Sequence, residues 1–157
     1  MPNFTTALDQ LAALEVSGVR NHYGITTLPD ELSRAHLPAL LVLPFVSRDR
    51  LLSERGEGFQ TMAFSEGTRT VTYAVTHLLL VASVGSGSGQ RSALPKLAGL
   101  IDAYFNALNA DPTLNSTLSA PPRVRVEPGL YRHGSFEYFG CAFRHLWMLE
   151  LDAVTEE

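Results

Sequence analysis

Residues 136–151 constrain this chain more than any other segment, because they form a long run of aromatic and bulky apolar residues without proline. The run alternates in a way that favours a β-strand. A strand of that length spans roughly 50 Å at ~3.3 Å per residue. A compact domain of this size has a radius of gyration of about 15 Å, hence a diameter of about 40 Å. We therefore expect the strand to bend at Gly140, or to project beyond its own domain and pair with another chain.

Alternation gives this strand two apolar faces. The residues expected in the chain's own core are Phe139, Cys141, Phe143 and Trp147. The opposite face carries Tyr138, Ala142, Leu146 and Met148. That face is unusually apolar for a strand that meets water, so we expect a helix or a second subunit to cover it. Tyr138, Leu146 and Met148 are therefore candidate interface residues.

Composition indicates one globular domain spanning residues 1–157. Charged residues make up only 18% of the chain, a mild indication of buried protein–protein contact. The net charge of -4 argues against a general nucleic-acid binder. The single cysteine predicts a reducing compartment, and Cys141 is expected to be a buried, inert thiol. No signal peptide or membrane-spanning run is visible, so we expect a soluble intracellular product without membrane contact.

The apolar pattern predicts an α+β fold: a mainly antiparallel or mixed sheet with an N-terminal helix and one long central helix packed on one face. The long helix is expected to be capped by Ser92, with Pro95 in its first turn. Turns are expected at 128–129 and 134–135. The predicted elements are a helix at 4–16, a strand at 37–43, a polar loop at 47–58, hairpin strands at 60–64 and 70–82, the long helix, and a strand at 123–127.

The order strand, Gly85-Ser-Gly-Ser-Gly89, helix is the order used to bind phosphates. A dinucleotide fingerprint would need a third glycine where Gln90 stands, and a P-loop would need Lys followed by Ser or Thr. A nucleophile elbow would need serine at Gly87. A mobile Gly/Ser loop is the favoured interpretation, and a small nucleotide-binding enzyme remains the alternative from another class.

Metal and catalytic chemistry have little support in the sequence, and we predict no catalytic, cofactor-binding or metal-ligating residue. The five histidines are scattered without partners at ligand spacing. His77 and His145 each lie on a strand, where a ring packed in or beside the sheet is the favoured interpretation. A Ser–His–Asp arrangement assembled in three dimensions stays open.

Two polar loops and one basic strip complete the candidate interface. Arg123 and Arg125 share a strand face, and a solvated face is favoured over a surface lining a DNA channel. Arg132, His133 and Arg144 could extend this strip. The loop residues expected to order against a partner are Arg50, Glu54, Arg55, Glu57, Gly85, Gly87 and Gly89.

The order of elements resembles the tail terminator proteins of phages with long non-contractile tails. The resemblance rests on the N-terminal amphipathic helix, the long central helix and four short stretches. Those stretches are Leu37-Pro-Ala-Leu-Leu-Val-Leu-Pro44, Thr70-Val-Thr-Tyr73, Val126-Glu-Pro-Gly129 and the strand at 138–151 with its pattern Tyr138-Phe-Gly-Cys-Ala-Phe143. The resemblance covers most of the chain as an order of elements, while none of the stretches is individually specific.

The resemblance implies a structural protein of the virion tail or neck, assembled in the host cytoplasm, with an α+β fold and no cofactor. It implies a homo-oligomeric ring, a hexamer in the family, which caps the tail tube and joins the head connector. The implied partners are further copies of the chain, the tail tube protein, connector or neck proteins, and genomic DNA that passes through the lumen without sequence-specific binding. Another neck, connector or tail-completion protein fits the same pattern and stays open.

Overall fold

The computed structural model describes residues 4–44, 58–85 and 89–152. Within these ranges the chain forms one mixed sheet with two α-helices, and the predicted α+β class is confirmed. The helices are α1 (Phe4–Ala12), a 3-10 helix (Arg34–His36) and α2 (Gly89–Ala110). The strands are β1 (Asn21–Tyr23), β2 (Ala39–Leu43), β3 (Gly58–Ser65), β4 (Thr68–Ser83), β5 (Arg123–His133) and β6 (Phe136–Asp152).

The strand order across the sheet is β1-β2-β4-β6-β5, and β3 also pairs with β4. β1 and β2 are parallel, whereas all other neighbouring strands are antiparallel. β2 pairs with residues 76–80 of β4, and β3 pairs with residues 68–74 of the same strand. β2 and β3 therefore lie one beyond the other along the same side of β4. The predicted hairpin around Glu66-Gly67 is confirmed as the β3–β4 connection.

The long final strand is accommodated by an almost equally long partner. β6 has 17 residues and β4 has 16, and they pair from Thr68 opposite Asp152 to Ser83 opposite Tyr138. β5 pairs with β6 only as far as Leu146, so the end of β6 projects beyond β5. The chain's own β4 thus pairs with the projecting end, and no second chain is required for that pairing.

Gly140 lies where the β4–β6 ladder is irregular: it pairs with Leu80, and the adjacent Phe139 pairs with Ala82, so the register shifts between Leu80 and Ala82 of β4. A Cβ atom built at position 140 would collide with the Leu79 carbonyl oxygen. Only glycine therefore allows the two strands to approach this closely, which gives the residue a packing role.

Both helices pack on one face of the sheet, here called the helix face. The predicted core residues Phe139, Cys141, Phe143 and Trp147 are all buried on this side of the strand, and that prediction is confirmed. The Tyr104 ring of α2 stacks on Phe143 with ring centroids 3.6 Å apart and ring planes 9° apart. Aromatic side chains of this size contribute much of the apolar area that a core removes from water.

Two predicted helix boundaries were wrong. α1 ends at Ala12 and not at residue 16, although Leu14 and Val16 beyond it are still buried. α2 begins at Gly89, so Pro95 lies inside the helix and not in its first turn. The missing N–H of Pro95 removes one helical hydrogen bond, so packing on the sheet must compensate for it.

The predicted turn at 128–129 was also wrong, because β5 continues from Arg123 through Pro128 to His133. β5 is an edge strand, where proline is tolerated because its missing N–H can face away from the sheet. The turn at 134–135 does connect β5 to β6, with Gly134 at a positive φ of 62°.

The opposite face of the sheet, here called the outer face, is covered over only part of its length. The irregular segment 24–38, which contains the 3-10 helix, lies over one end and contributes Leu32 and Leu37 to a second cluster of buried residues. Tyr138 and Ala142 of β6 belong to the same cluster. The other end of the outer face carries no such cover from the described residues.

Candidate functional site

The outer face of β6 separates into a covered and an open half. Tyr138 is 1% exposed, and its hydroxyl donates a hydrogen bond to the Leu32 carbonyl oxygen at 3.1 Å. The chain's own segment therefore covers the Tyr138 end, where we expected a packed α-helix or a second subunit. Tyr138 consequently offers no surface to a partner in this conformation.

The open half presents the other two candidate interface residues. Leu146 is 39% exposed and Met148 is 49% exposed. Their neighbours on β4 are Ala74, opposite Leu146, and Thr72, opposite Met148. We call these four residues the outer patch. Two large apolar side chains exposed together on one face of a sheet are typical of a surface that meets another protein.

The basic strip of β5 lies beside the outer patch. Arg123 is opposite Leu146, and its side chain makes no ion pair with any described residue. Arg125 forms an ion pair with Glu127 at 3.5 Å while its side chain stays 75% exposed. Both arginines are exposed, and they add positive charge at the rim of an apolar surface.

The predicted extension of this strip is largely neutralised. Arg144 donates from Nε to Glu127 Oε2 at 2.6 Å and from its guanidinium to Thr76 Oγ1 at 3.1 Å. The hydrogen bond from Arg144 lowers the pKa of Glu127, against a smaller opposing effect of burial. Arg132 lies 3.9 Å from Glu137, and the His133 ring is 2.7 Å from the Pro29 carbonyl oxygen. Arg123 and Arg125 are therefore the residues of the strip that add positive charge to the surface beside the outer patch.

The loop candidates fall mostly outside the described residues. Arg50, Glu54, Arg55, Glu57 and Gly87 all do. Gly85 is exposed just after β4, with open space around it, and Gly89 is the first residue of α2. Their roles in an interface stay predictions.

A groove of about 690 Å³ lies between the segment 31–37, the end of β4 and α2. Its walls include Glu31, Arg34 and Lys96 as charged residues, with Phe136 and Val81 as apolar ones. The mixed charges and open shape define neither a nucleotide fingerprint nor a catalytic arrangement.

His77 and His145 meet at Tyr104 in the core, a contact that the sequence pattern does not reveal. The Tyr104 hydroxyl oxygen lies 2.9 Å from His77 Nδ1 and 2.6 Å from His145 Nε2. Trp147 Nε1 donates to His145 Nδ1 at 3.3 Å. All four residues are buried, and the most exposed of them shows 1% of its surface.

These contacts assign the protons of the network. Trp147 can only donate, so His145 accepts at Nδ1 and carries its proton on Nε2. His145 then donates to Tyr104, whose hydroxyl donates to His77 Nδ1. The remaining His77 proton is on Nε2, which has no hydrogen-bond partner in the described part of the chain. Burial lowers the pKa of His145 to about 3 and lowers that of His77 well below its usual value, so both rings are neutral.

The network contributes to the packing of the core, and none of its side chains reaches a surface that a substrate could contact. Burial raises the pKa of Cys141 to about 12, as expected for an inert thiol. Among the described residues, no group of three His, Cys, Asp or Glu side chains could hold a metal ion. No described helix has the length and apolar character to cross a membrane.

A scan of known protein-family models and a search of curated proteins both find no match to this chain.

Proposed function

We propose that this protein is a structural component of a phage head–tail junction, where a ring of identical subunits caps the tail tube. The observation that carries the proposal is the outer patch: Leu146 and Met148 stay exposed on the outer face of a strand whose residues 138–143 are all buried. A partner that covers this patch removes apolar surface from water, which favours association.

Within the proposed ring, the outer patch faces a neighbouring copy. Heterologous contact of one surface with a different surface of the next copy generates a closed ring when the rotation closes. The ring provides one surface to the tail tube protein and the other to the head connector. Genomic DNA passes through the lumen without sequence-specific binding, and Arg123 and Arg125 are the basic residues that we propose face it.

Assembly with the tail tube tests this proposal. Purified protein is added to assembling tube protein, and tube lengths and particle mass are measured by electron microscopy and light scattering. Addition of the chain is expected to give short, uniformly capped tubes and a particle mass of several subunits. Protein that stays monomeric at high concentration and leaves tube length unchanged would contradict the proposal.

A matched pair of variants links that result to the outer patch. Leu146→Asp places a charge within the patch and is expected to abolish capping while leaving the circular dichroism spectrum unchanged. Leu130→Asp is the control, since Leu130 is 55% exposed on β5 away from the patch. Equal loss of capping in both variants would contradict a role of the outer patch in capping.

Two other functions are alternatives to this proposal. A connector or tail-completion protein of the neck would use the same patch, and a cryo-EM map that shows which ring layer contains the chain separates it from a terminator. The alternative from another class is a small nucleotide-binding enzyme, and the groove that Lys96 and Arg34 line is the place where it would bind its ligand. Calorimetry with nucleotides tests that alternative, because heat of binding that Lys96→Met abolishes would support it over a purely structural role.

A further inference from the structure

The edges of the sheet are protected unequally. A free strand edge exposes backbone N–H and C=O groups, and proteins usually protect such edges with charged side chains, proline or short strands. The edge strand β5 carries Arg123, Arg125 and Pro128. The edge strand β1 is only three residues long. Both edges therefore discourage the addition of another strand.

β3 lacks these protections. Its eight residues, Gly58–Ser65, include neither a charged residue nor proline. Met62 is 43% exposed and Phe64 is 74% exposed. A bulge at Gln60 interrupts the pairing with β4, which is regular from Thr61 onward. Within the described ranges, no strand pairs with the outer edge of β3.

The hairpin geometry determines which backbone groups of β3 face outward. A two-residue turn, here Glu66-Gly67, closes on a hydrogen-bonded pair, here Ser65 and Thr68. Bonded and non-bonded pairs then alternate along antiparallel strands. Met62 and Phe64 therefore direct their N–H and C=O groups away from β4.

The projecting end of β6 forms a second free edge. The N–H and the hydroxyl of Ser119 both donate to the Met148 carbonyl oxygen at 2.9 Å, so the backbone of Met148 faces away from β4. Glu150 lies two residues further and has the same orientation by alternation. No described strand lies beside it, because β5 pairs with β6 only as far as Leu146.

The two free edges lie at the same level of the sheet. Ala63 of β3 is opposite Thr70 of β4, and Thr70 is opposite Glu150 of β6. One copy thus presents β3 on one side of this three-stranded end and β6 on the other. We propose that β3 of one copy adds to the projecting end of β6 in a second copy, so that the sheet continues from subunit to subunit. This assignment rests on the ring proposed above and specifies its interface.

The register of the new pair follows from the strand directions. β3 and β6 are both antiparallel to β4, so they are parallel to each other. In a parallel pair, a residue bonds to both neighbours of the residue opposite it. With Ala63 opposite Glu150, the Phe64 N–H donates to the Glu150 carbonyl oxygen, and the Glu150 N–H donates to the Met62 carbonyl oxygen.

Side chains and charges agree with this pairing. Met62 and Phe64 lie on the helix face, as do Leu149 and Leu151 of β6, so their exposed apolar surface continues the apolar face of the neighbour. β3 brings no acidic residue near Glu150. The contact joins two different edges, and such heterologous contacts build closed rings or open filaments.

Disulfide trapping tests the register directly. The variant Ala63→Cys with Glu150→Cys is expected to give a ladder of covalent oligomers under mild oxidation. Within one chain β4 separates the two positions by two strand spacings, about 9.6 Å, which is too far for a disulfide. Every bridge between them therefore joins two copies. The control, Ala63→Cys with Arg132→Cys, keeps one cysteine and moves the other to β5, and is expected to stay monomeric on a denaturing gel.

A second variant pair tests the backbone contact itself. Phe64→Pro removes the outward N–H without breaking the ladder to β4, and is expected to weaken association about tenfold at each interface relative to Phe64→Ala. Phe64→Ala removes the side chain and keeps the N–H, so it separates the two contributions.

The outcomes distinguish this interface from the ring itself. Rings that form without a disulfide ladder and tolerate Phe64→Pro would overturn the strand pairing and leave the proposed function standing. Covalent dimers from Ala63→Cys alone would show that two β3 edges pair with each other, which also overturns the assignment. A chain that forms no assembly under any condition would remove both proposals.

Discussion

Tyr104 connects three parts of the core that are far apart in the sequence. Its ring stacks on Phe143, and its hydroxyl joins His77 of β4 to His145 of β6. A hydroxyl in a buried position contributes stability only when its hydrogen bonds are made, and here it both donates and accepts. The residue therefore combines the apolar contact that holds α2 on the sheet with the polar contact that fixes the two histidine rings.

Tyr104→Phe is expected to destabilise the protein. The variant keeps the stacked ring but leaves His145 without an acceptor and His77 without a donor in the core, at a cost of about 1–3 kcal/mol for each stranded group. Urea unfolding followed by circular dichroism measures the change. Tyr131→Phe is the control, because the half-buried Tyr131 hydroxyl donates to a single carbonyl oxygen, that of Glu127, at 2.5 Å. An equal loss in the two variants would contradict the role of the network.

Stability is also expected to fall as the pH drops below about 6.5. The unfolded histidines have a pKa near 6.5, whereas burial lowers the pKa of His145 to about 3 and that of His77 in the same direction. The unfolded state therefore binds protons first, and each ring removes up to about 1.4 kcal/mol per pH unit between those limits. The half-buried His22 adds to this trend, because burial also lowers its pKa.

Unfolding measured in urea between pH 7 and 5 tests this dependence, since most carboxyl groups stay ionised there. His77→Leu removes one titrating group and is expected to reduce the slope of the unfolding free energy with pH. An unchanged slope would show that His77 is protonated in the folded state or does not titrate in the unfolded state.

The β4–β6 ladder is the element on which the rest of the sheet is built. It pairs residues from Thr68 to Ser83 with residues from Tyr138 to Asp152, and Gly140 allows the close approach at its irregular point. β2, β3 and β5 all join this pair and not one another. Damage to the ladder is therefore expected to affect every strand.

Gly140→Ala is expected to destabilise the fold by about 1–3 kcal/mol or more, because the added methyl group collides with the Leu79 carbonyl oxygen of the neighbouring backbone. Thermal unfolding measures the loss. Gly85→Ala is the matched control, since a Cβ atom there meets nothing within 4 Å. A Gly140→Ala protein as stable as the control would show that the two strands can separate locally at little cost.

Much of the element order could be predicted from the sequence, because alternation and helical periodicity are local signals. The hairpin, the central helix and the buried face of β6 follow from them. The start of α2 could not be predicted, since a Gly/Ser run and Pro95 both disfavour helix locally. The continuation of β5 through Pro128 could not be predicted either, because proline is tolerated there only since β5 lies at an edge of the sheet, and the sequence does not give the strand order.

The candidate site was predictable only in part. Alternation identifies Leu146 and Met148 as apolar residues of one face, but exposure depends on what packs over them. The segment 24–38 has no periodic pattern from which its position over Tyr138 could be predicted. The exposed edge of β3 was missed although its uncharged sequence was a usable signal, because its importance depends on which strands lie beside it.

The whole molecule combines a well-filled core on the helix face with an incompletely covered outer face. Arg123 and the outer patch lie together on the open half. The net charge of the chain is -4, and its acidic residues are distributed along the whole sequence. An assembled protein would therefore gain stability from its neighbours in addition to its own core.

The midpoint of thermal unfolding is expected to rise with protein concentration, because dilution favours separated subunits by mass action. Scanning calorimetry over a hundredfold concentration range measures this dependence. Leu146→Asp is expected to unfold at a midpoint that does not change with concentration. A wild-type midpoint that is equally constant would indicate a protein that is already monomeric or an assembly too tight to dissociate in that range.

The place of β6 between β4 and β5 also has a consequence for folding kinetics. The hairpins β3–β4 and β5–β6 join strands that are close in the sequence, and such contacts form quickly. The ladder that joins them must close the long loop that contains α2, which makes it the entropically costly step. We expect folding in milliseconds to seconds, with the docking of two preformed hairpins as the slow event; stopped-flow refolding of Gly140→Ala would show that step slowed if the ladder is present in the transition state.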